Sequence, residues 1–371
     1  MKKILFLIPT LGHGGAEKVL VNLVNNMNIN EYDITVQTLF DQGVHKKSLK
    51  PHVRYKSFMQ KQFHGNTTLF SLIPAKLLYK IIVREKYDYI VSYLEGPTTH
   101  IINGCPYSDT KKIAWIHIEL DSDRRFKQGF ISKSEAIKAY KSFHKIVCVS
   151  RTVKEVFEKT ARETFKNIIV LYNTNETAQI LKKSKEPIED IVFKGDCVNI
   201  CSVAKLMESK GYDRLIKVHK KLLDEGIKHR IYILGIGEKK DELQAYIADN
   251  HLEDSFILLG FRDNPYKYVA ACDMYVCSSR REGFSTAVTE SLIVGTPVVS
   301  TLCSGARELL GDNDEYGLVV ENSEAGIYEG MKKMITSYEL RKYYAAQAMI
   351  RGKRFSTEKT VKSVEDMLNE L

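Results

Sequence analysis

Two glutamates eight residues apart, Glu282 and Glu290, form the sharpest chemical signal in this chain of 371 residues. They lie within residues 279–300, after an apolar run that ends at Cys277 and before Gly295, Thr296 and Pro297. The pattern reads as a strand, a loop carrying Glu282 and Gly283, and a helix starting around Ser285 or Thr286. The amides of Phe284, Ser285 and Thr286 would then be open donors at a helix start, an arrangement that binds anions. Glu290, about one turn into that helix, could reach whatever the amides hold. Two glutamates at this spacing are equally at home as surface charges, one of them capping. Lys205 and Lys210 straddle the exit of another apolar run, residues 198–203, with Gly211 following. Ammonium groups there offer mobile point charge against a diphosphate, although either residue alone reads as an ordinary loop lysine.

Weaker signals lie elsewhere. Gly14 and Gly15 follow the first apolar run and open a helical pattern, so their backbone could approach a ligand closely. This loop is too short for Gly-x-Gly-x-x-Gly, and no acidic residue is placed to hold a dinucleotide ribose. Gly235 fits any tight strand-to-helix turn. His117 ends an apolar run near Trp115, the only tryptophan. A lone histidine is more often structural, but the carboxyl end of a strand is where open α/β sheets bind ligands. Seven cysteines without a Cys-x-x-Cys pair argue against a disulfide framework and a zinc site.

The elements that must position these residues alternate as short apolar runs and longer amphipathic stretches, the βαβ rhythm of parallel sheets. Strands are expected near residues 4–9, 33–39, 53–58, 89–93, 112–117, 145–149 and 168–172. A second series falls near 198–203, 230–234, 256–259, 274–277, 298–300 and 318–320. Between them, residues 177–189 are polar and aperiodic and read as a linker. The chain therefore divides into an N-terminal domain, residues 1–176, and a C-terminal domain, residues 190–355. The last segment, 356–371, reads as an amphipathic helix returning to the first domain. The expected class is α/β, two facing Rossmann-like doubly wound sheets with a cleft between them.

Composition is that of a globular protein, 44% hydrophobic and 27% charged, with no apolar stretch of about 18 residues to span a membrane. Residues 4–9 could pass for a signal peptide, but the run is short and no cleavage site follows. A buried strand, and with it a cytoplasmic protein, is the better reading. Charge is unevenly spread. Residues 1–170 hold 27 Lys and Arg against 15 Asp and Glu, while residues 171–371 hold 28 against 31. No acidic residue separates Asp41 from Glu85, and Phe58, Phe63, Leu69, Phe70, Leu72, Ile73, Leu77, Leu78 and Tyr79 stand among the lysines there. Such a mixture suits peripheral docking on an anionic inner leaflet, or is a solvated basic face without a partner.

Together these residues resemble the retaining glycosyltransferases of family 4, which have the GT-B architecture. The resemblance spans essentially the whole chain and implies that residues 1–176 bind the acceptor and residues 190–355 the nucleotide sugar. Its most specific element is Glu282 to Glu290, matching the family's Glu-x7-Glu pattern, followed by residues 295–299. Lys205, Lys210 and Gly211 match the family's basic pair, whose first member is usually arginine. Gly14 to Glu17 match the loop after its first strand, and His117 its histidine near the donor sugar. Residues 149–150, 172–173, 260–261 and 272–273 agree as well. Lysine at 205 loses a bidentate fork, and Ser285 and Ser291 stand where glycine and alanine are common.

The resemblance implies transfer of a sugar from a nucleotide sugar, a UDP-sugar by family frequency, with retention of anomeric configuration and without a metal. Lys205, Lys210 and the amides of Gly14, Gly15 and residues 284–286 would meet the charge developing on the leaving diphosphate. Glu290 would hold ribose hydroxyls, Glu282 hydroxyls of the donor sugar, and Phe261 the base, while His117 would orient sugar and phosphate. A saccharide or a lipid-linked saccharide of cell-surface polysaccharide assembly is the implied acceptor. Residues 353–355 would be a crossover strand, with cleft closure hinging there and near Asn173. Two alternatives remain: a nucleotide-sugar epimerase of the same fold, and a basic module gripping nucleic acid. The second needs aromatic residues free to stack on bases, and here most alternate within expected strands.

Overall fold

Strand β1, Lys2–Ile8, has its Ile4 to Ile8 side chains wholly buried, as expected for a parallel strand covered on both faces. The computed structural model describes residues 1–12, 14–193 and 195–371. Six further strands share the first sheet: β2 Tyr32–Phe40, β3 Arg54–Met59, β4 Tyr89–Ser92, β5 Lys111–Ile116, β6 Lys145–Cys148 and β7 Ile168–Val170. Their order is β3-β2-β1-β4-β5-β6-β7, every pairing parallel. The second sheet contains β8 Val198–Val203, β9 His229–Leu234, β10 Phe256–Gly260, β11 Met274–Cys277, β12 Val298–Thr301 and β13 Leu318–Val320. Its order is β10-β9-β8-β11-β12-β13, again all parallel. Both are Rossmann-like doubly wound sheets, as read from the sequence, and strand ends differ from expectation by a residue or two.

The chain forms two compact units, residues 1–175 with 357–371, and residues 176–356. In the first, the C-terminal helix Thr357–Asn369 lies against the helix Gly15–Asn26. Glu365 accepts from the Asn28 amide at 2.7 Å, and Tyr89 Oη donates to the Leu368 carbonyl at 2.9 Å. The second unit packs Ile200, Leu215, Ile231, Met274, Val299 and Met331 into one core.

Three expectations need correction. Residues 177–189 do not form a featureless linker: they open with a helix, Thr177–Lys183. Its Ile180 is buried against Tyr266 and Ile293, a single apolar anchor too short to show periodicity. Residues 353–355 are not a strand but a 3₁₀ turn, Lys353–Phe355, continuing from the helix Tyr338–Gly352. Phe355 is fully buried and meets the Phe284 ring edge-on at 5.7 Å, so packing holds this segment without a strand partner. Finally, the apolar residues between 58 and 79 are not all available for docking. Phe70, Leu78 and Tyr79 lie in the core, whereas Leu69, Leu72, Leu77 and Ile81 are exposed.

Candidate active site

In the second unit, strand order reverses between β8 and β11, and a crevice outside the carboxyl ends of such a pair is the usual ligand site. The loop after β8 carries Lys205 and Lys210, and the loop after β11 carries Glu282. Backbone and side chains zip the two loops together. Arg280 N–H donates to the Ser209 carbonyl at 2.8 Å, and Ser278 Oγ to the Lys210 carbonyl at 2.8 Å. Lys210 Nζ then lies 2.7 Å from Glu282 Oε1, which also accepts from Ser279 Oγ at 2.6 Å. Burial alone would make Lys210 a weaker base, but the charge of Glu282 and its hydrogen bond outweigh this and hold the ammonium above its ordinary pKa. Lys205, by contrast, is exposed. Gly235 directly follows β9, with φ of +152°, and a side chain there would collide with the Ala204 carbonyl.

The helix after this loop runs Thr286–Val294, with Ser285 as N-cap accepting from the Val288 amide. The open first-turn donors are therefore Thr286 and Ala287, one residue later than the sequence suggested. Gly283 and Phe284 precede the helix, and Phe284 contributes a buried ring rather than a ligand-facing one. Glu290 follows one turn in, only 7% exposed. Phe261 stands apart from this group: it follows the edge strand β10 and is 49% exposed.

Sequence reading missed the residue that braces this arrangement. Arg214 is a buried cation whose Nε and Nη2 donate to the Ser278 carbonyl at 3.1 and 2.7 Å. Its Nη1 donates to the Asn322 carbonyl at 3.2 Å. It lies on the helix Tyr212–Asp224, where it reads as one polar residue among several, so the pattern gives no warning.

In the first unit, the order reverses between β1 and β4. Gly14 caps the helix Gly15–Asn26 after β1, and the Glu17 carboxylate folds back over it, so close that any side chain at 14 would strike Oε2. An anion using the Gly14 and Gly15 amides must share that helix start with Glu17. His117 follows β5 and is 7% exposed, its ring 4.9 Å from that of Tyr93 and stacked at 6.5 Å on Trp115. Burial drives its pKa down to about 3, against a hydrogen bond to the Tyr93 backbone, so the ring is neutral. Among the described residues its Nε2 is buried and has no partner. The His117 amide donates to Glu95 Oε2 at 3.0 Å. Burial raises the Glu95 carboxyl to about 7 despite that bond. Glu95 was not singled out from sequence. Its signal, an acid just past β4 and before Gly96 and Pro97, becomes visible only once β4 is known to neighbour β1.

No helix among the described residues is long and apolar enough to cross a membrane. Comparison with known proteins places this geometry. The model for glycosyl transferases group 1 matches residues 184–351, and that for glycosyltransferase family 4 matches residues 13–178. The chain is 41% identical over 192 residues to a Campylobacter jejuni N-acetylgalactosamine-N,N'-diacetylbacillosaminyl-diphospho-undecaprenol 4-alpha-N-acetylgalactosaminyltransferase. That match spans 51% of this chain and 50% of the relative. It is 29% identical over 341 residues to an uncharacterized glycosyltransferase of Methanocaldococcus jannaschii, covering 78% of this chain and 83% of that one. The solved structure of Anabaena Alr3699/HepE in complex with UDP and glucose shares the fold, with a TM-score of 0.79, 19% identity and full coverage of both chains. With both sheets matched by adjoining family models and the paired lysine and glutamate loops at the second switch point, the chain belongs to the family 4 glycosyltransferases of GT-B architecture.

Proposed function

We propose that this glycosyltransferase moves a sugar from a UDP-sugar to a lipid-linked saccharide, with retention of configuration and without a metal, in cell-surface polysaccharide synthesis. The observation that carries the reading is the convergence at the β8/β11 switch point of Lys205, Lys210, Glu282 and the open start of helix Thr286–Val294. Two ammonium groups and helix-start amides suit a diphosphate, which gains charge as the sugar leaves. Lys210 exchanges Glu282 for a phosphate oxygen, which frees Glu282 for hydroxyls of the donor sugar. Glu290 holds the ribose and Phe261 the base. Within the first unit, the Gly14 and Gly15 amides are donors for an anion, and the unpartnered Nε2 of neutral His117 takes a substrate hydroxyl.

In support, the Anabaena neighbour was solved with UDP, and the Campylobacter relative is named for a diphospho-undecaprenol-linked substrate. Exposed Leu69, Leu72, Leu77 and Ile81, beside Lys76, Lys80 and Arg84, suit peripheral contact with an anionic cytoplasmic leaflet. The test is UDP release across a panel of UDP-sugars in EDTA, without acceptor and then with lipid-linked saccharides, and product configuration read by NMR. Release stimulated by a lipid-linked acceptor with an unchanged anomeric centre is expected. Release that requires divalent metal, or an inverted product, would overturn the corresponding part of the reading.

A further inference from the structure

The first unit contains a cavity of about 590 Å³. Thr67 and Leu72 of the short helix Asn66–Leu72 form one wall, and Arg124, Arg125, Lys127 and Ile131 the other. Its charge is only partly cancelled locally. Arg125 lies 3.4 Å from Asp121, and Asp123 is engaged by Lys133 at 2.7 Å. Arg124 and Lys127 are exposed, and among the described residues neither has a carboxylate within ion-pair distance. Two apolar side chains share the same lining, with Leu72 65% and Ile131 63% exposed. A soluble anion has no use for them. An amphiphile with a multiply charged head does.

The cavity also has a fixed address. Gly129, with φ of +84°, packs so tightly on Gly96 that a methyl group there would come within 2.4 Å of the Gly96 carbonyl carbon. Gly96 directly follows Glu95, whose carboxylate accepts from His117. The basic wall is thus held next to the ends of β4 and β5.

We infer that this cavity binds the diphosphate and first isoprene units of a polyprenyl-diphosphate-linked acceptor, with Arg124, Arg125 and Lys127 on the phosphates and Leu72 and Ile131 on the lipid. The inference rests on the proposed reading of the acceptor and adds where it is gripped. Charge-assisted contacts of this kind carry about tenfold in affinity each.

The full-length protein is titrated with farnesyl diphosphate, farnesol, inorganic pyrophosphate and UDP. Wild type should bind farnesyl diphosphate well above farnesol and pyrophosphate. Arg124→Ala combined with Lys127→Ala should weaken it about 30-fold or more while leaving UDP affinity unchanged, and Arg124→Lys should restore part of the loss. Leu72→Ser with Ile131→Ser should erase the preference over pyrophosphate. Equal binding of farnesyl diphosphate by wild type and the double alanine variant, or none by wild type, overturns the inference. Pyrophosphate binding as well as farnesyl diphosphate, unaffected by the serine changes, overturns the lipid assignment. If lipid-linked saccharides still stimulate UDP release in the alanine variant as in wild type, the cavity assignment fails and the proposed function stands. If no lipid-linked acceptor stimulates release in wild type, the proposed function itself has failed.

Discussion

Lys210 Nζ and Glu282 Oε1 are 2.7 Å apart, so the cation proposed for the donor diphosphate and the carboxylate proposed for the donor sugar are each other's partner. Their side chains are 21% and 13% exposed, which shields the pair from solvent more than a surface ion pair. Lys210→Ala should lower kcat/KM for the donor by about 1.5–3 kcal/mol, the worth of a hydrogen bond to a charged group. A double-mutant cycle with Glu282→Ala on thermal stability should show coupling of about 1–3 kcal/mol. Because the ammonium pKa is raised, the contribution of Lys210 to stability is complete below its unfolded value of 10.5 and is lost only as pH rises through the higher folded value. Strictly additive stability losses measured near pH 8 would show that the two residues do not act as a pair.

Arg214 should matter although it belongs to the bracing rather than the paired loops. Arg214→Met leaves the Ser278 carbonyl without its guanidinium donors and Asn322 without a partner on that side. Unmet buried groups of this kind cost about 1–3 kcal/mol each, so a loss of roughly 2–4 kcal/mol in stability is expected. The donor KM should rise as well, because the loop from Ser278 to Glu282 loses its anchor. Arg214→Lys should not restore either property, since a point charge cannot span both carbonyls. Recovery by lysine in urea unfolding and donor titration would contradict this account.

Much of the fold is legible in residue order, and the reason is parallel pairing. A strand buried on both faces must be apolar throughout, so runs such as Ile4 to Ile8 or Val298 to Val299 announce themselves. Helix starts are legible to within one residue, as Thr286 shows, because Ser285 caps and its neighbours do not. What stays hidden depends on strand order. Glu95 and Arg214 gain meaning only when β4 is seen beside β1, and β11 beside β8. The helix Thr177–Lys183 escapes notice because one buried isoleucine sets no period.

Glu95 supplies a pH signature. Its carboxyl is raised from 4.5 to about 7, so the folded state binds a proton that the unfolded state releases across that interval. Stability should therefore fall as pH rises from about 4.5 through 7, by about 3.4 kcal/mol at most at 1.36 kcal/mol per unit. His117 acts oppositely: its pKa of about 3 favours the neutral ring, so its contribution is lost as pH falls from 6.5 toward 3. Glu95→Gln isolates the first effect. Melting temperatures of wild type minus variant, measured from pH 5 to 9, should drop with rising pH and level off above 8. A flat difference would mean that Glu95 titrates normally.

Glu290 offers a kinetic distinction. Only 7% of its surface is open, and it sits one turn past the open donors of Thr286 and Ala287. A carboxylate there is proposed to hold ribose hydroxyls, which keep their position and charge while the bond to the sugar breaks. Contacts that are equal in ground and transition states set KM without setting kcat. Glu290→Gln should thus raise the donor KM about tenfold or more and change kcat little, with UDP affinity falling in parallel, since UDP carries the same ribose. Were kcat to fall as far as kcat/KM with UDP affinity intact, Glu290 would instead act on charge developing at the reacting centre, and its proposed role would pass to another residue.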